Sequence, residues 1–98
     1  MPAVCRGNRV DADNVHCSRP RRLEMSSNVN VNGTGISRQG DVNTTHLYPA
    51  LPICLGHAKP ITSGSSKVKV NGMGCGRVGD KISSCRSVAS GSPNVFAG

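Results

Sequence analysis

The feature that most constrains this chain is a repeat. Ser65–Cys85, SSKVKVNGMGCGRVGDKISSC, restates Ser26–His46, SSNVNVNGTGISRQGDVNTTH, 39 residues on and without a gap. The copies agree at ten of twenty-one positions: Ser-Ser, Val-x-Val, Asn-Gly, a following Gly (Gly35 and Gly74), Arg38 with Arg77, and Gly40-Asp41 with Gly79-Asp80. A fixed internal period of this length argues against disorder and for one short structural unit built more than once.

Within each copy, polar residues alternate with Val over 28–32 and 67–71, the period of a half-buried strand. Asn32-Gly33 and Asn71-Gly72 follow at once, a strong short-range sign of a tight hairpin. Returning strands are expected at roughly 35–39 and 74–78, with Gly-Asp making the next turn and the Asp carboxylates accepting backbone N–H groups two residues on. Two shorter matches extend the pattern. Residues 1–16 place Arg6-Gly7-Asn8 where the later units have Arg-x-Gly-Asp, and end on His16. The spacing from Arg to that end is ten residues in this unit and eight from Arg38 to His46 and from Arg77 to Cys85. Ser90–Phe96 matches Ser63–Lys69. The chain is therefore read as one domain over 1–98, with units at about 1–16, 26–46 and 65–85 and a closing strand at 90–98. The connection at 17–25 is polar and broken by Pro20, and 47–62, with Pro49, Pro52 and Pro60, is expected as an ordered loop.

Such a chain has little with which to build a core. A domain of this size buries only about 60–65% of its unfolded surface, and Tyr48 and Phe96 are the only aromatic residues. Something besides an oily interior must hold it together. The unit ends supply a candidate, because His16, His46 and Cys85 are all first-choice zinc ligands and the loop between units offers His57. Three units leaning together would bring their ends to one point, and a site filled by four protein ligands is structural rather than catalytic. Cys17, beside His16, and Cys54, three before His57, are the rival thiols; Cys85 is preferred because it takes the place of His46. Cys5 and Cys75 each precede a unit's Arg and are read as buried packing residues.

The remaining bulk features bound the function. Five Cys residues cannot all pair within the chain, and the N-terminus lacks the apolar segment of a secretion signal, so synthesis in a reducing compartment is expected. A formal charge of +7 raises nucleic acid or a membrane surface as a partner. The only basic cluster, Arg19, Arg21 and Arg22, has no aromatic residues interleaved to stack bases and is read as a solvated loop. A Cys–His nucleophile pair oriented by Asp11, Asp13, Asp41 or Asp80 is conceivable, but no phosphate loop or paired carboxylates accompany it. No enzymatic activity is expected.

The unit of short apolar segment, Arg-x-Gly-Asp and ligand, followed by Ser-Gly-Ser-Pro-Asn-Val-Phe, resembles the PAAR-repeat proteins. The resemblance covers nearly the whole chain and is carried by PAVCRGN at 2–8, ISRQGD at 36–41, GCGRVGD at 74–80 and SGSPNVFAG at 90–98. The Pro-Ala-Ala-Arg signature itself is degenerate: Pro2-Ala3-Val4-Cys5-Arg6 has an extra residue, and the other two units keep only the Arg. The resemblance implies an all-β fold, a small cone of β-hairpins with pseudo-threefold repeats and a metal-stabilised apex. Its base would sit on the blunt end of a trimeric β-helical spike, one tip per trimer, in the baseplate of a contractile phage tail. The family's zinc site, three His and one Cys, falls on His16, His46, His57 and Cys85, with iron as the alternative metal. The implied protein is a bare structural tip without a toxin extension, a monomer on its own, assembled in the host cytoplasm into the virion. It would touch the host membrane transiently and bind no nucleic acid. The rival expectation, from charge alone, is a small basic zinc-binding module that does bind nucleic acid.

Overall fold

The computed structural model describes residues 1–14, 19–50, 53–83 and 86–98, with side chains at all of these except 46–50 and 53–57. Among the described residues there is no helix. Six short strands form three antiparallel pairs: β1 (Asn30–Val31) with β2 (Thr34–Gly35), β3 (His46–Ala50) with β4 (Ile53–His57), and β5 (Lys69–Val70) with β6 (Met73–Gly74). The fold is thus small and all-β. The first and third pairs turn where the sequence asks for it. Asn32 and Asn71 sit at φ 54°, and Gly33 and Gly72 at 78° and 80°, the two successive left-handed residues of a hairpin turn that matches strand twist.

The Pro-rich stretch is a hairpin and not the expected loop. Its register runs from His46 opposite His57 to Ala50 opposite Ile53, with Pro49 opposite Cys54. Proline is excluded from central strands because it lacks an N–H; in a two-stranded ribbon each strand has a side with no ladder to serve.

What joins the units is a closed cycle of backbone bonds. Cys5 N–H donates to the carbonyl of Gly76 at 3.0 Å, Gly76 N–H to that of Ser37 at 3.0 Å, and Ser37 N–H to that of Cys5 at 3.1 Å. These three residues stand immediately before Arg6, Arg38 and Arg77, so corresponding points of the three units bond to one another in a ring. Bridges on either side repeat the cycle, with Arg6 paired to Ile36, Arg38 to Cys75 and Arg77 to Val4. At Gly76 the ring is tight: a Cβ there would run into the Ser37 carbonyl oxygen and come within 2.8 Å of Cys5 Sγ.

The buried apolar residues follow the same correspondence. Val4, Ile36 and Cys75 pack with Val31, Val70 and Ala97 in one cluster, and Cys5, Ile61, Ile82 and Val88 form a second. Three buried serines pin the strands around the first cluster. The hydroxyl oxygens of Ser26, Ser65 and Ser92 each accept backbone N–H groups two and three residues on, at 2.9 to 3.3 Å. Each also donates to a neighbouring unit: Ser26 to Asn71 Oδ1 at 2.6 Å, Ser92 to Asn32 Oδ1 at 2.6 Å, and Ser65 to the Gly98 carbonyl. The closing segment thus makes, through Ser92, the same kinds of contact that Ser26 and Ser65 make in the two repeats. Its partner is the first segment: Ala3 bridges Phe96 where Asn30 pairs with Gly35 and Lys69 with Gly74.

Candidate metal centre

Beyond the ring, the chain continues from each unit into an arm, and each arm opens with an Arg–Asp fork. Asp11, Asp41 and Asp80 accept the backbone N–H of Arg6, Arg38 and Arg77 on Oδ2 at 2.7, 2.8 and 2.8 Å. The same oxygen takes each guanidinium Nε at 2.8, 2.8 and 3.2 Å, and Oδ1 takes Nη2 at 3.0, 3.0 and 2.8 Å. These bidentate, charge-assisted contacts fix direction as well as distance, and the hydrogen bond to Asp is the main reason that all three guanidinium groups are held more strongly protonated than usual. The acceptor role expected of the turn Asp is met, but toward the Arg three residues back.

The first unit corrects the sequence alignment. Arg6 pairs with Asp11, five residues on, and not with Asn8; Asn8 and Arg9, at φ 52° and 63°, form an added turn between them. The two extra residues thus lie wholly before the Asp. From Asp to candidate ligand the count is five in all three units: Asp11 to His16, Asp41 to His46, Asp80 to Cys85. That constant spacing was present in the sequence and would have identified Asp11.

Each arm folds back on itself, through the bridges Ala12–Arg21, Val42–Pro60 and Lys81–Ser87, and the arms are bridged to one another at Asp13–Val88, Arg22–Asn43 and Ile61–Ile82. In the middle arm the register sets His46 directly opposite His57. The side chains of these two residues, and His16, Cys17 and Cys85 altogether, lie outside what the structure describes. The residues flanking His16 and Cys85 are in contact. Asn14, two before His16, donates its N–H to the Ser87 carbonyl at 2.9 Å and its Nδ2 to Ser87 Oγ at 2.9 Å, and Ser87 is two after Cys85. Ser83, two before Cys85, donates its N–H to the Pro60 carbonyl, three after His57, at 3.0 Å. Among the described residues themselves no group of three or more His, Cys, Asp or Glu converges.

Between the ring and the candidate ligands the interior is polar on one side. Arg22, fully buried, donates Nη1 to Asp13 Oδ2 at 3.0 Å, Nη2 to the Asp41 carbonyl at 2.6 Å and Nε to Ser37 Oγ at 3.3 Å. Asn43 donates Nδ2 to the same Asp13 oxygen at 2.9 Å and accepts the Lys59 N–H at 2.9 Å. Reading Arg19, Arg21 and Arg22 as one solvated cluster is therefore wrong for Arg22, because in an extended segment neighbours point to opposite faces and only Arg19 and Arg21 are exposed. Cys5 and Cys75 are buried free thiols, as the sequence suggests, and burial pushes both toward the protonated form. A scan against family models finds no match to this chain, and a search of curated proteins finds none either.

Proposed function

We propose that this chain is a non-enzymatic, metal-stabilised tip that caps and sharpens the trimeric β-helical spike of a contractile phage tail baseplate and helps it through the host envelope. The observation that carries the reading is the ring at Cys5, Ser37 and Gly76, in which corresponding points of three units bond to one another. We read it as the centre of a pseudo-threefold cone, with the three arms as the narrowing end. One chain built this way can face a threefold partner with similar contacts on each side. The hairpin end carries exposed apolar residues, Val68, Met73 and Phe96 among them, which suit a seat on the spike.

Past the Ile61, Ile82 and Val88 cluster, the ends of the arms carry the candidate ligands in place of further core residues, and a bound ion is the economical substitute. The donor set fits zinc: three imidazoles and a thiolate, with His46 and His57 in register and the neighbours of His16 and Cys85 hydrogen bonded. His16, His46, His57 and Cys85 would hold it, and it would supply only cross-linking, since four protein ligands leave no place for water or substrate. Mixing the purified chain with a spike trimer tests the role. Light scattering or native mass should give one chain per three spike subunits, and a folded, metal-loaded chain that the trimer never captures sinks the proposal.

A further inference from the structure

The Arg–Asp forks have an electrostatic result beyond fixing the arms. The chain has only five acidic residues, and four of them, Asp11, Asp13, Asp41 and Asp80, are buried against Arg6, Arg22, Arg38 and Arg77. The fifth, Glu24, lies at the foot of the arms, where its Oε1 accepts the Val42 N–H at 2.8 Å. The arms, residues 12–22, 42–61 and 81–88, therefore hold five of the chain's seven net positive charges. Their basic residues outside the pairs are Arg19 and Arg21 on the first arm, Lys59 on the second, and Lys81 and Arg86 on the third. All but the half-buried Lys59 are exposed.

We infer that these residues form a cationic collar that binds the phosphate groups of an anionic lipid surface. The partner follows from the arrangement. Exposed cations on the first and third arms, which are bridged to each other at Asp13–Val88, are joined by the half-buried Lys59 on the second, so a planar array of phosphates can meet them together. A nucleic-acid duplex presents its phosphates in lines and is met by a stripe along one side. The inference rests on the tip reading only for which end meets the cell, and it gives that contact a chemistry: attraction to headgroup phosphate draws the point down before any force is applied, and salt weakens it.

The test is co-sedimentation of the metal-loaded chain with vesicles of phosphatidylglycerol and phosphatidylcholine, against vesicles of phosphatidylcholine alone, across a salt series. Binding is expected only to the anionic vesicles and to fall as salt rises. A basic residue near such a surface contributes about fivefold, so Arg21→Gln/Lys81→Gln/Arg86→Gln should weaken binding by roughly a hundredfold. Lys67→Gln/Lys69→Gln, at the hairpin end, should leave it unchanged. Equal binding to neutral vesicles, equal loss in both variants, or tighter binding to a DNA duplex at matched salt each overturns the inference. A chain that docks on the spike yet ignores anionic vesicles defeats the collar alone, and one that binds vesicles yet never docks defeats the tip reading alone.

Discussion

Cys5, Ser37 and Gly76 hold one place in three units and carry a thiol, a hydroxyl and no side chain. The ring leaves room for little more. Cys5 Sγ lies over the ring, 3.8 Å from the Ser37 carbonyl, while Ser37 Oγ turns to Arg22 and Gly76 must stay bare. The buried thiol has a pH consequence. Burial raises the Cys5 pKa in the folded state, so the protonated thiol stabilises the fold, and that contribution is complete below the pKa of the unfolded chain. Above about pH 8.5 the unfolded chain ionises first, and stability should fall by about 1.4 kcal/mol per pH unit for each such thiol. Urea unfolding between neutral and alkaline pH should therefore show a shallower alkaline loss in Cys5→Ala than in the parent. Identical slopes would mean that Cys5 is not held protonated by burial.

At the scale of elements, the arms differ in what fills them. Arg22, Asp13 and Asn43 join the first two arms, whereas Ile61, Ile82 and Val88 join the others. Removing one partner of a buried ion pair costs about 3–5 kcal/mol, but replacing both by apolar residues is often neutral. Arg22→Met and Asp13→Val should each destabilise by that amount, with the double variant recovering most of it, as read from denaturant midpoints. Strictly additive losses would show that the two residues act independently. This is also where the sequence was least legible. Period-two Val residues and Asn-Gly turns announced the hairpins, and the repeat announced the units, because those signals are local. Nothing local marks Arg22 as buried, since its partners Asp13, Ser37 and Asn43 come from separate stretches of chain. The shift from Asn8 to Asp11 was hidden by an insertion that only the constant Asp-to-ligand count exposes. The register of His46 against His57 was obscured by prolines, which argue against a strand only where both its edges are bonded.

For the whole molecule, 40 Å by 23 Å by 21 Å, the proposed metal would be a large stabilising term. Structural zinc contributes on the order of 10 kcal/mol to small domains. If chelation forfeits even a third of that, the melting midpoint should drop by roughly 13–27 °C. Metal analysis of protein purified without a metal-affinity tag should give one zinc per chain, with a clear loss in Cys85→Ser. A folded parent that contains no metal and melts unchanged in chelator would remove His16, His46, His57 and Cys85 as a ligand set.

The ring also sets a timetable for the chain at birth. Cys5 must find Gly76, 71 positions later, and at ribosomal speeds of about 5–20 residues per second that partner arrives roughly 4 to 14 seconds after it. Ser37, 32 positions on, can meet the Cys5 carbonyl sooner, but until Gly76 is made the Cys5 N–H has no ring partner of its own. A neighbouring nascent chain carries the same third unit and offers the same bonds, so crowded synthesis favours exchange of first strands between chains.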